Sequence, residues 1–439
     1  MASPKHWRTR LIFWLGALAI GVVSAAFASL ADKAFELFSM ISEGSGWHQW
    51  APLVLTPLGF VLCAWLADRY FPGSQGSGIP QCIATRHLRD EDHRNGYLAM
   101  KIVFGKVGLT LIGLVCGASI GREGPTVQIG AALMLLAGRI GGMAHARGLI
   151  LAGSAAGIAA AFNTPLAGVV FAIEEMSRSY QARTNGVVLS TVIIAGIASL
   201  AIVGNYTYFG VSHATAAFPG DWPLVITCGV VGGLLGGAFS KLVITITHRI
   251  RRWRHVGHGT RVIVVAGLAG FTLAAIGVAT GGLTFGTGYA QARSAVEGAS
   301  LPATFFLAKF IATIASTVSG IPGGLFAPSL AVGAGLGSTL GLVFGASASL
   351  AAVLGMAGYF AGVVQAPMTA FVIIVEMTGN HSNVVPVMAA SMIGYGVSRM
   401  VSPVPLYHAL SRLFFADALR KRRANHAEHG EHVPHGHAA

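Results

Sequence analysis

Gly121-Arg122-Glu123-Gly124-Pro125-Thr126-Val127-Gln128-Ile129-Gly130 sets an arginine–glutamate pair between glycines, in a region that is otherwise apolar for dozens of residues on either side. Pro125 suits the first turn of a helix, where a missing N–H costs nothing and φ is already helical. Gly121 and Gly124 permit an irregular backbone just ahead of that turn. The stretch predicts a helix that begins inside a membrane, with free N–H groups and the positive end of its dipole turned towards an anion. Glu123 is itself an anion placed where a mobile one would sit. The same carboxylate would also serve as a cap in a purely structural turn.

The surroundings decide the class. Of 439 residues, 54% are hydrophobic and only 10% charged, against about 25% charged in soluble domains. The chain therefore reads as an all-α polytopic membrane protein. Its 59 glycines allow close helix packing and broken helices. The net charge of +13 lies mostly outside the apolar runs, so it reports topology and lipid headgroups, and no nucleic-acid partner is expected. Cys63, Cys82, Cys116 and Cys228 lack metal-ligand spacing and read as buried thiols. No metal or other cofactor is implied.

Lys5, Arg8 and Arg10 precede the apolar run 11–28, which mimics a cleaved signal peptide but reads here as an uncleaved first membrane helix. Further apolar runs cover about 52–66, 102–120, 126–142, 148–173, 186–204, 222–246, 261–281, 303–320, 325–347, 349–375 and 384–401. Several are too short or too interrupted for the ~20 residues of a straight membrane helix, as expected of a transporter built with half-helices. Basic clusters at the N-terminus, at 86–94 (Arg86, Arg89, Arg94), at 249–254 and at 420–423 place those segments, and both termini, in the cytoplasm.

An internal repeat gives the architecture. Gly121-Arg122-Glu123-Gly124-Pro125 through Leu133 aligns with Gly324-Leu325-Phe326-Ala327-Pro328 through Leu336. Downstream, Asn163-Thr164-Pro165 followed by Glu174-Glu175-Met176 matches Gln365-Ala366-Pro367 followed by Glu376-Met377, with Glu376 read as the mate of Glu175. Two related halves, about 50–205 and 222–402, are expected to meet at the bilayer midplane within one membrane domain, 1–423, with a substrate site between them. The tail 424–439, rich in histidine, reads as disordered.

With these motifs in view, the chain resembles the CLC chloride channels and chloride/proton antiporters over about 11–415. The carriers of the resemblance are Gly76-Ser77-Gly78-Ile79-Pro80, Gly121-Arg122-Glu123-Gly124-Pro125, Gly324-Leu325-Phe326-Ala327-Pro328 and Pro405-Leu406-Tyr407. Ser77, Ile79, Leu325 and Phe326 sit at glycine-rich helix starts, which offer N–H donors and partial positive charge to a dehydrated halide. The Ser77 and Tyr407 hydroxyls are further donors. The resemblance implies that Ser77 and Tyr407 hold the central anion while Ile79, Leu325 and Phe326 line it from their helix starts. It also implies that Glu123 is the external gate and proton carrier, and that Glu175 is the internal proton-transfer group.

A carboxylate in lipid costs about 2.5–3.5 kcal/mol on insertion scales, so each needs a reason. Glu175 would otherwise be a helix-end carboxylate facing the cytoplasm, and Glu376 reads as a structural helix-end residue. Lys106 either holds the local potential positive or pairs with a carboxylate. Arg122 reads as a structural and electrostatic anchor. Family antiporters often carry acidic residues where Gln81, Cys82 and Ile83 stand here, which predicts looser or slower proton coupling. Ser77, rather than the proline of the nitrate-preferring branch, argues against that branch, and Phe326 with Tyr407 against the fluoride-exporting one.

The expected function is chloride/proton antiport in the inner (plasma) membrane by a homodimer with one pore per subunit. A passive chloride channel of the same fold is the alternative. An intramembrane hydrolase using Glu123 and Glu175 lacks a nucleophile or a metal set such as His-Glu-x-x-His, so the protein is not expected to be an enzyme.

Overall fold

Lipid leaves no water to satisfy backbone groups, so spanning segments must close their own hydrogen bonds. The computed structural model describes residues 4–44, 46–88, 91–143, 146–177, 182–204, 207–253, 255 and 257–428. Arg89, Arg178, Arg254 and the tail histidines from His429 onward lie outside them. The described residues form helices and loops, and their only strand-like pairings are two isolated backbone bridges. Eight helical stretches are long and apolar enough to cross a membrane.

The first half comprises α1 (Pro4–Ser42), α2 (Pro52–Arg69), α3 (Ile79–His87), α4 (Glu91–Leu98), α5 (Met100–Val115), α6 (Glu123–Ile140), α7 (Ala146–Phe162), α8 (Pro165–Phe171) and α9 (Ala182–Val203). The second comprises α10 (Trp222–Arg252), α11 (His258–Ala279), α12 (Tyr289–Val296), α13 (Phe305–Val318), α14 (Phe326–Phe344), α15 (Ala348–Val364), α16 (Pro367–Thr378) and α17 (Val384–Val401). The closing helix is α18 (Leu406–Glu428).

The halves pack alike. α6 lies on α7 as α14 lies on α15, and α1 contacts α6, α7 and α9 as α10 contacts α14, α15 and α17. The correspondence therefore reaches back to α1. At the α6–α7 crossing a Cβ on Gly130 would stand 2.2 Å from the Gly153 carbonyl oxygen. At the α14–α15 crossing a Cβ on Gly355 would stand 2.4 Å from the Gly333 carbonyl oxygen. Only glycine permits backbones this close.

Two apolar runs, 148–173 and 349–375, divide where the hydropathy is continuous. Asn163 and Gln365 adopt left-handed φ values of 57° and 56°. The residues after them, Thr164 and Ala366, have ψ near 80°, outside the helical region. Pro165 and Pro367 enforce this, because proline excludes the helical region for the residue before it. The results are the half-helices α8, of seven residues, and α16, of twelve.

Candidate functional site

The three glycine-rich motifs meet backbone to backbone. Gly121 and Gly324 exchange both hydrogen bonds, each N–H donating to the other's carbonyl at 2.7 Å. Gly76 donates to Ile321 at 3.1 Å and accepts from Gly323 at 3.0 Å. A Cβ on Gly124 would lie 2.8 Å from the Ser77 carbonyl oxygen and 3.1 Å from the Gly324 Cα. These contacts bring the starts of α3, α6 and α14 to one place, and none of the three has a side-chain cap. Their first-turn N–H groups and positive dipole ends converge.

Ser77, Ile79, Glu123, Leu325, Phe326, Tyr407 and Glu175 are all buried. Ser77 and Leu325 line a cavity of about 630 Å³ that reaches to Arg251, His258, Arg261 and Arg420. The Phe326 ring centroid lies 6.0 Å from that of Tyr407 and 4.9 Å from that of Phe360. The Ser77 and Tyr407 hydroxyls make no hydrogen bond to a described residue. Buried Tyr359 shares that condition, so it does not by itself distinguish them; Ser77 differs in lying at the converging helix starts, and Tyr407 in opening α18. Tyr407 is within electrostatic reach of both Glu123 and Glu175.

Glu123 lies over Gly121, where a Cβ would stand 2.1 Å from Glu123 Oε2. The backbone N–H groups of Glu123 and Ala327 face the carboxylate, although Oε2 has no hydrogen bond of standard geometry. The carboxylate thus occupies the electropositive spot made by α6 and α14. Tyr208, in the connection between the halves, donates its hydroxyl to Glu123 Oε1 at 3.2 Å. The Arg122 guanidinium lies 5.7 Å from the Tyr208 ring centroid and donates to the Ala28 carbonyl and to Asp32 Oδ1, both at 2.6 Å. Arg122 is therefore turned to α1 as an anchor, in accord with the sequence reading.

Glu175 sits in a π-helical turn, Ala172–Ser177, that follows α8. A π-turn accommodates one extra residue in a helix and often marks a functional position. This corrects the repeat alignment. Glu174, and not Glu175, is the mate of Glu376: each lies nine residues beyond its proline, Pro165 or Pro367. Glu174 accepts from the N–H groups of Met368 at 3.1 Å and Thr369 at 2.6 Å. Glu376 accepts from those of Leu166 at 3.1 Å and Ala167 at 2.7 Å. Glu175 is the added residue, and its neighbour is His408, whose Nε2 lies 3.7 Å from Oε1 and 3.2 Å from the Glu175 carbonyl oxygen.

Lys106 is fully buried and donates to the Gly76 carbonyl at 2.7 Å. It fastens the Ser77 loop from behind and makes no ion pair among the described residues, which removes the carboxylate-pair alternative. Lys309, which the motif reading missed, does the same in the other half, donating to Thr284 at 2.9 Å and Gly286 at 2.7 Å. The signal was present. Lys106 stands 15 residues before Gly121 and Lys309 15 before Gly324, while Gly286-Thr287-Gly288 repeats Gly76-Ser77-Gly78. Tyr208 and His408 carried no motif.

Gln81 turns back on its own loop, donating to the carbonyls of Gly73 at 3.2 Å and Gln75 at 2.5 Å. The four cysteines are buried and unpaired.

Comparison with known proteins agrees with this geometry. Residues 58–399 match the sequence model of the voltage gated chloride channel family. The H(+)/Cl(−) exchange transporter ClcA of Yersinia pseudotuberculosis serotype IB is 29% identical over 436 residues, covering 92% of this chain and 88% of its own. ClcA of Salmonella typhimurium is 29% identical over 405 residues, covering 87% and 83%. Among solved structures, a slow cyanobacterial Cl−/H+ antiporter superposes with a TM-score of 0.81 at 24% identity, covering 95% of this chain and 99% of its own. Two short loops tied glycine to glycine, a glutamate seated between them and a matched family sequence of more than three hundred residues lead to one assignment: the chain belongs to the voltage gated chloride channel, or CLC, family.

Proposed function

We propose that this protein exchanges chloride for protons across a cell inner (plasma) membrane, with Glu123 as external gate and proton carrier and Glu175 as internal proton-transfer group. The observation that carries the proposal is the position of Tyr407, a buried hydroxyl within electrostatic range of both glutamates. An anion held by Ser77 and Tyr407, with Ile79, Leu325 and Phe326 around it, leaves along the cavity lined by Ser77. A proton cannot use donors arranged for negative charge, and Glu175 offers it a separate acceptor. Glu123 belongs to both routes, because protonation releases its carboxylate from the spot an anion needs.

At the mouth of the cavity Arg251, Arg261 and Arg420 outnumber the carboxylates Asp68 and Asp417, which supports a cytoplasmic opening and cytoplasmic termini. A homodimer is supported by the outer face of α8, α9, α16 and α17, where Leu166, Ile197 and Val385 are exposed. α8 with its π-turn and α16 are each no more than about 20 Å long, too short for a hydrocarbon core of about 30 Å. A second copy would cover the helix ends that this leaves at membrane depth.

The test is purified protein in liposomes with an imposed chloride gradient and no pH gradient. Protons should move uphill, with chloride moving in the opposite direction. Chloride flux with no proton movement would assign a passive chloride channel instead.

A further inference from the structure

We propose that His408 delivers protons to Glu175 from the cytoplasmic solution; the proposal rests on Glu175 being the internal proton acceptor. The Glu175 side chain is 2% exposed and cannot exchange protons with bulk water directly, whereas that of His408 is 21% exposed. Its Nε2 is 3.7 Å from Glu175 Oε1, so a small rotation of either side chain closes a hydrogen bond. Imidazole is the one side chain whose ordinary titration range spans neutral pH.

Among the described residues, the other ionisable groups beside Glu175 are otherwise engaged. Glu174 is committed to the backbone amides that open α16. Arg86 donates to the Met176 carbonyl within the π-turn, and a guanidinium does not release its proton in proteins. Glu175 and Tyr407 are themselves the acceptor and the anion donor. His408 follows Tyr407 directly in the first turn of α18 and is held there as Ser411 donates its hydroxyl to the His408 carbonyl at 2.9 Å. One helix start thus presents a phenol to the anion route and an imidazole to the proton acceptor. The two routes part between adjacent residues.

The transfer balances simply. Neutral imidazole takes a proton from water on the ring nitrogen that carries none and becomes imidazolium. The Nε2 proton then passes to Glu175 Oε1, leaving a neutral imidazole and a neutral carboxylic acid in place of a cation and a carboxylate. Exchange with water restores the starting tautomer. The reverse sequence unloads Glu175 when transport runs the other way.

Paired chloride and proton fluxes from the same liposomes test the proposal. Wild-type protein must first move protons against their gradient; if it does not, the antiport reading fails independently of His408. Given coupling, His408→Asn should lower coupled turnover by at least about tenfold, the lower range for loss of a proton-transfer group being about a hundredfold when no other path exists. His408→Glu, which restores a proton carrier, should recover part of it. In a Glu123→Gln background, where chloride no longer waits on protons, adding His408→Asn should leave chloride flux unaltered. Wild-type coupled turnover in His408→Asn would overturn the proposal. A Glu variant as slow as the Asn variant, or a loss of chloride flux in the Glu123→Gln background, would assign His408 a structural role and overturn it equally.

Discussion

Glu174 and Glu376 cap each other's half-helix: the carboxylate that ends one half's segment holds two backbone N–H groups opening the other's. Reciprocal contacts of this kind are the signature of a two-fold relation, and the Gly121–Gly324 exchange of hydrogen bonds repeats it. Half-helices leave four N–H groups unsatisfied at their starts, at a depth where water is scarce. The crossed caps satisfy two of those groups at each start and lock the halves in register at the same time.

Removing either cap should therefore destabilise the fold without touching the ion routes. Glu174→Ala or Glu376→Ala strands two N–H groups, each costing up to about 1–3 kcal/mol where it is buried. The thermal unfolding midpoint in detergent should fall in both variants by similar amounts, while coupling measured on the surviving folded protein stays intact. Unequal effects, with one variant at the wild-type midpoint, would contradict the equivalence of the caps.

Tyr208→Phe removes the hydroxyl that, among the described residues, holds Glu123 Oε1. A hydrogen bond to a charged group is worth about 1.5–3 kcal/mol, and this one favours the seated carboxylate. Without it the carboxylate leaves its seat more readily. Chloride flux should rise at neutral pH and reach half its maximum at a higher pH than in wild type. The control is Glu123→Gln, in which Tyr208→Phe should change nothing. A pH–flux profile unmoved by Tyr208→Phe would remove Tyr208 from the gate.

Ser77→Pro takes away a buried hydroxyl and one backbone donor at the head of α3. A spherical halide depends on a few well-aimed donors, whereas nitrate spreads its charge over three oxygens. The preference for chloride over nitrate should fall or reverse in competition flux measurements. Unchanged selectivity would count against Ser77 as an anion donor.

The sequence made the fold legible where chemistry repeats. The proline, glycine and glutamate positions of the two halves survive in register because each performs the same backbone task twice. Hydropathy alone could not divide the runs 148–173 and 349–375, since Asn163 and Gln365 break the helix by backbone conformation and not by polarity. The mate of Glu376 was misassigned because the π-turn adds a residue that leaves no trace in composition. Matching Glu175-Met176 to Glu376-Met377 followed the letters, while the hydrogen bonds follow Glu174. Lys309 escaped because its role is to hold carbonyls of a loop whose likeness to the Ser77 loop is confined to Gly286-Thr287-Gly288. Tyr208 reaches Glu123 from 85 residues away along the chain, and His408 meets Glu175 from 233. Contacts at such separation are set by tertiary packing, which no local pattern encodes.

The two glutamates should separate under the same substitution. Glu123→Gln replaces the seated carboxylate with a neutral side chain of the same shape, so the gate behaves as permanently protonated. Chloride flux should persist and proton coupling should vanish. Glu175→Gln leaves the gate able to titrate but removes the buried acceptor that the proton needs on its way to or from the cytoplasm. Here too proton movement should stop, yet the residual chloride flux should keep its dependence on external pH, because Glu123 still opens and closes. In Glu123→Gln that dependence should be lost. The distinction follows from position: Glu123 sits at the joined starts of α6 and α14, on the proposed anion route, while Glu175 sits in the π-turn beside His408, on the proposed proton route. Chloride and proton fluxes measured together at several external pH values check it. Intact coupling in Glu175→Gln would sink the two-glutamate mechanism, and chloride flux that ignores external pH in that variant would show that the two groups do not act separately.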